Sequence, residues 1–226
     1  MMQSNNNILN RIANHLLVNG RFLDNLGLFR GRMGVVIFFY HYSRYTNNPI
    51  YYEFAEELLD DLFEEIHDRL PIDFKDGYLG IGWGIQYLAC QKFINEDVDC
   101  ILEDIDKKIM ERDIRRITDF SLETGLEGFF HYILARLQNY RDVRDVFDER
   151  YYLDLKYIIN MPVATPLSNL SNDTWKLYTT KKSSYILSEQ FSKFYYDKVP
   201  YGDKVYEWRL GLVNGCAGIG LKTMNI

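Results

Sequence analysis

Apolar and polar residues alternate along this chain in blocks of helical length, and no stretch keeps a period of two long enough to make a strand. Asn5-Asn6-Asn7 can cap a first helix that runs to Asn19, with Ile8, Ile12, His15 and Leu16 on one face and Gly20 as its stop. The next helix, through Val35-Val36-Ile37-Phe38-Phe39-Tyr40 to Asn47-Asn48-Pro49, is apolar nearly all round, the pattern of a helix buried on every side. Residues 50–68 then divide cleanly. Phe54, Ala55, Leu58, Leu59, Leu62, Phe63 and Ile66 form one stripe, while Glu53, Glu56, Glu57, Asp60, Asp61, Glu64 and Glu65 form an acidic face in water.

The alternation recurs. An apolar helix over 81–94 precedes a charged amphipathic one over 98–115, and an apolar helix over 128–140 precedes another amphipathic one over 147–160. Residues 161–182, with two prolines and several Ser, Thr and Asn, read as loop with one weak helix around Trp175. Residues 183–197 read as a further outer helix, and 212–226 as a last inner helix of three to four turns with no outer helix after it.

A glycine motif stands before each buried-type helix. The copies are Gly27-Leu28-Phe29-Arg30-Gly31-Arg32-Met33-Gly34, Gly77-Tyr78-Leu79-Gly80-Ile81-Gly82-Trp83-Gly84, Gly125-Leu126-Glu127-Gly128-Phe129-Phe130 and Gly211-Leu212-Val213-Asn214-Gly215-Cys216-Ala217-Gly218-Ile219-Gly220. The first two steps between copies are 50 and 48 residues and the third is 86, near twice 43, which leaves room for one degenerate copy and marks a repeat architecture. Glycine in a loop entering a helix supplies positive φ or close backbone approach, and the N–H groups of the first helical turn face whatever occupies the mouth. Buried and half-wet helices in alternation predict an all-α fold. The expected architecture is an α/α toroid of four to five helical hairpins in a single domain, 1–226, with the glycine loops at one end of the inner barrel. So few hairpins leave the ring incomplete, unless the N-terminal helix packs on the last inner one or a second copy or partner protein covers the opening.

These four motifs, above all residues 211–221, resemble those of the lanthionine synthetase C-like proteins. The resemblance implies two concentric helical barrels around a cavity, where zinc held by two cysteines and a histidine activates a peptide thiol for addition to a dehydrated serine or threonine. The cysteine and histidine that precede the middle glycine of the family's last motif are here Val213 and Asn214, neither a zinc ligand. The family's other cysteine follows a tryptophan, and here Gly84 follows Trp83. The zinc site does not carry over, and no cofactor is expected.

A formal charge of −6, a pI near 5.3 and the absence of any basic block argue against nucleic acid and anionic membrane as partners. Three scattered cysteines make no disulfide framework, and with no signal peptide or spanning segment the expected location is cytoplasmic. Cys90 and Cys100 read as small buried residues. Cys216 lies at a helix mouth, where N–H groups lower a thiol pKa, although plain packing explains it too. Of the histidines, His41 and His131 lie on inner helices, as cavity groups or as satisfied core residues. Arg30, Tyr78, Trp83, Glu127, His131, Asn214 and Cys216 are the candidates for lining a cavity or binding a peptide.

Three readings follow. The first is a zinc-less peptide-binding or accessory component of a modified-peptide maturation system, partnered by a precursor peptide or a maturation enzyme, with a homo-oligomer as one way to close the ring. The second is a thioether cyclase with a non-standard site. The third is a carbohydrate-active α/α barrel, which needs two opposed carboxylates where only Glu127 stands at a mouth.

Overall fold

The structure is a computed structural model that describes residues 2–95, 97–139, 142–160, 185–194 and 204–226. The regular elements among the described residues are all helical, with α-helices α1 (Met2–Asn19), α2 (Arg32–Thr46), α3 (Ile50–Glu64), α4 (Tyr78–Cys90), α5 (Val98–Met110), α6 (Leu126–Arg136), α7 (Glu149–Asn160), α8 (Leu187–Phe194) and α9 (Cys216–Thr223). None of these helices is long and apolar enough to cross a membrane. The loop expected over 161–182 lies outside the described residues, and of the outer helix expected over 183–197 the described part is α8. The helices group into two compact units, Met1–Leu70 with Phe191–Ile226, and Pro71–Gln190.

In the first unit α2 is buried without a break from Arg32 to Ser43, whereas α3 buries only Ala55, Leu58, Leu59 and Leu62. That contrast is the inner and outer pairing expected from their sequences. Asn47, in the left-handed region at φ 51°, turns the chain between them, a conformation asparagine tolerates. Their seam is aromatic, with Phe39 edge-on to Phe54 at 4.8 Å and Tyr40 edge-on to Tyr52 at 5.1 Å. Glu65, itself exposed, takes both ends of the buried Arg32 guanidinium at 2.7 and 3.1 Å, and Arg32 also donates to the Leu23 carbonyl.

Two expectations change in this unit. The first helix begins at Met2 and runs through Asn5-Asn6-Asn7 instead of being capped by them, since mid-helix asparagine costs only a fraction of a kcal/mol. The last helix has eight residues, because the loop continues to its cap at Gly215 and left-handed Asn225 (φ 62°) follows its end. It is nonetheless covered: α9 packs on both α1 and α2, and a Cβ on Gly220 would lie 2.3 Å from the Phe38 ring and 3.3 Å from Ile12. The N-terminal helix therefore packs on the last inner one, as one of the two expected closures requires.

His41, on α2, is buried, and desolvation followed by the nearby Arg44 charge pushes its imidazole down to about 3. A histidine unfolded near pH 6.5 but neutral in the fold binds more protons when unfolded. Its contribution to stability is complete above pH 6.5 and is lost as pH falls toward 3, by up to roughly 4 kcal/mol. The expected result is a wild-type urea midpoint that falls more steeply between pH 7 and 4 than that of His41→Leu. Parallel pH profiles would contradict the assignment.

In the second unit α4 is buried from Tyr78 to Leu88 and α5 buries Leu102, Ile105, Asp106 and Ile109. Neither Cys90 nor Cys100 is buried as expected. Cys90 is the final residue of α4, where the helix emerges, and Cys100 lies off the buried stripe of α5. Helix α5 ends at Met110, and the expected tail to 115 contains a separate 3-10 turn, Ile114–Arg116. Inner helices α4 and α6 meet closely, since a Cβ on Gly82 would lie 2.4 Å from the Tyr132 ring. The Tyr132 hydroxyl donates to Asp106 at 2.5 Å, and Arg136 grips the same carboxylate through Nε and a terminal nitrogen at 3.0 and 2.7 Å while reaching Asp99 at 2.7 Å. This buried cluster fastens inner helix α6 to outer helix α5.

Candidate functional site

The four glycine motifs share one geometry. Gly31, Gly77, Gly125 and Gly215 cap α2, α4, α6 and α9, each with φ between −113° and −138° and an extended ψ. Positive φ is thus not why glycine is needed. The reason is contact: a Cβ would lie 2.4 Å from the Asn25 carbonyl oxygen at Gly31, 1.8 Å from that of Pro71 at Gly77, 2.4 Å from that of Asp119 at Gly125 and 2.3 Å from that of Gly211 at Gly215. In every copy the first helical N–H donates to the carbonyl seven residues earlier: Arg32 to Asn25, Tyr78 to Pro71, Leu126 to Asp119 and Cys216 to Arg209, at 2.7 to 3.0 Å. A second N–H is taken the same way in α2 (Met33 to Leu26) and α9 (Ala217 to Leu210). The first N–H of each of these helices is therefore taken by a carbonyl of its own loop.

Within each unit the loops come in pairs. In the first, the Val213 N–H donates to the Phe29 carbonyl at 2.8 Å, and Gly211 lies so close to the Arg30 backbone that a Cβ would be 2.6 Å from its Cα. In the second, the Phe74 and Lys75 N–H groups both donate to the Glu123 carbonyl at 3.1 Å. Candidate residues Arg30 and Asn214 are exposed on the first pair, Asn214 in the left-handed region at φ 54°, and Glu127 is half-buried at the second. Tyr78, the first residue of α4, is buried.

Cys216 is fully buried, its Sγ 4.0 Å from the Val205 carbonyl, and burial pushes the thiol up to about 12. The expectation of a thiol activated by the helix terminus is corrected here, since desolvation outweighs the terminus and Arg209 already occupies the Cys216 N–H.

Trp83 and His131 are the two candidates that the fold brings together. The Trp83 indole Nε1 donates to the Tyr185 hydroxyl at 2.9 Å, and His131 Nδ1 lies 2.6 Å from the same oxygen. Phe74 flanks both, with ring centroids 6.0 Å from Trp83 and 5.7 Å from His131. Tyr185 is buried with its hydroxyl also 3.2 Å from the His131 carbonyl, and the Gln138 side-chain amide donates to the Tyr185 backbone carbonyl at 2.9 Å. Desolvation raises this phenol well above its usual pKa, so it stays protonated. Sequence reasoning did not single out Tyr185, which stands 102 residues from Trp83.

The donors among the described residues do not fit a zinc ion held by two cysteines and a histidine. Among the described residues no group of three His, Cys, Asp or Glu side chains is placed to hold a metal ion. His131 Nδ1 is engaged with Tyr185, Cys216 is a buried thiol, and Val213 offers no donor atom.

No curated protein and no solved structure matches the chain. The family model described as lanthionine synthetase C-like protein matches residues 23–152, a span that takes in the first three glycine motifs and the helices α2 to α6. With more than half of its length under that one model, this all-α chain belongs to the lanthionine synthetase C-like family.

Proposed function

We propose that the protein is a zinc-less member of its family that binds a precursor peptide, or a peptide-maturation enzyme, without closing thioether rings itself. The observation that carries this reading is a contrast within the last motif. Its loop keeps the glycine-capped geometry of the other three, yet Val213 and left-handed Asn214 stand at the ligand positions and the adjacent Cys216 thiol is buried and protonated. A scaffold retained without its metal constellation suits recognition, and the family points to peptides as what is recognised.

The test uses a synthetic peptide carrying one cysteine and one dehydroalanine, with zinc added. Ring closure leaves the mass unchanged, so the readout is the free thiol, counted by alkylation. The expected result is saturable binding of the fluorescently labelled peptide with the thiol count unchanged over hours. Thiol loss at a rate proportional to protein concentration would make the protein a cyclase and overturn the reading.

A further inference from the structure

The Trp83 indole and His131 imidazole converge on one oxygen atom in the interior of the second unit, and the chain delivers that oxygen from a distant segment. Tyr185 is not part of a glycine motif or of an inner helix; it precedes α8 and inserts its ring so that the hydroxyl meets Trp83 Nε1 at 2.9 Å and His131 Nδ1 at 2.6 Å. Its ring centroid lies 5.6 Å from that of His131, while Trp83 stacks on Tyr87 at 5.6 Å and Phe74 closes on both Trp83 and His131. Aromatic walls with a hydrogen-bonding indole and imidazole at the end of the slot are a recognition geometry for a phenol.

We propose that this slot between α4 and α6 is a phenol-binding site that the protein fills with its own Tyr185, so that a tyrosine side chain of a bound peptide would compete with an internal occupant. The choice of tyrosine as the peptide's recognised side chain rests on the peptide-binding reading above; the slot itself does not. Specificity follows from the shared hydroxyl. A phenol restores hydrogen bonds that toluene cannot, and in a buried site that difference is large compared with the contribution of one methylene.

The test removes the occupant. The full-length Tyr185→Ala variant is melted, and refolded from denaturant, with no additive, with p-cresol and with toluene at equal concentration. A ligand at a hundred times its Kd stabilises by about 2.7 kcal/mol, so p-cresol is expected to raise the variant's melting temperature by several degrees and its refolding yield with it. Toluene should do clearly less, and wild type should not respond. Adding His131→Leu to Tyr185→Ala should reduce the preference for p-cresol over toluene. A variant that p-cresol neither stabilises nor helps to refold, or that responds equally to toluene, overturns the proposal. So does N-acetyl-tyrosinamide binding wild type as tightly as Tyr185→Ala. Failure of the dehydroalanine peptide to bind would count against the proposed function and leave the p-cresol result standing.

Discussion

Replacing Gly77 with alanine is expected to unfold the protein or cost more than about 4 kcal/mol, well beyond an ordinary substitution. The added Cβ would lie 1.8 Å from the Pro71 carbonyl oxygen and 2.7 Å from its carbon, and both are backbone atoms that no rotamer change can move aside. Relieving the clash means separating the loop from the helix, which breaks the bond from the Tyr78 N–H to Pro71 and exposes the start of a helix buried through eleven residues. Gly215→Val meets the Gly211 carbonyl in the same way and should fail for the same reason. Urea unfolding measures both. A Gly77→Ala midpoint within a few tenths molar of the parent would mean that the caps are not the close contacts described here.

The second large effect is expected at Arg136. Asp106 and Arg136 are almost wholly buried together, and although burial raises the Asp106 pKa, the guanidinium and the Tyr132 hydroxyl favour its charged form. Arg136→Met leaves that carboxylate without its cation and is expected to cost about 3 to 5 kcal/mol at neutral pH. The stranded Asp106 would take up a proton more readily in the fold than when unfolded, so the deficit should shrink as pH falls toward 4. Asp106→Leu combined with Arg136→Met removes both charges and should regain most of the loss. Equal destabilisation by the single and double variants would show that Arg136 acts through its bulk and not its charge.

The layered helices were legible because burial on all sides and burial on one side write different patterns: compare unbroken Val35–Tyr40 with the divided faces of 50–64. The glycine motifs were legible as loop-into-helix junctions, but their physics was not. Sequence marks that glycine is required without distinguishing positive φ from a close carbonyl, and the structure shows the carbonyl. Asp106 carried a readable signal, an acid within the stripe of Leu102, Ile105 and Ile109, where burial demands a cation or hydrogen-bond donors as partners. Cys90 misled because the last turn of an otherwise buried helix emerges. Tyr185 left no local trace. The sequence there, Ser183-Ser184-Tyr185-Ile186, reads as the start of an amphipathic helix, and nothing in it specifies partners on two helices far back in the chain.

The proposed function requires that this chain keep its glycine-capped scaffold without binding zinc. Metal analysis of protein purified without chelator, and again after dialysis against zinc and gel filtration, tests it most directly. The account predicts zinc far below one equivalent per chain in both samples, with the same result for Cys216→Ser. Close to one zinc per chain, retained through gel filtration and lost in Cys216→Ser, would contradict it.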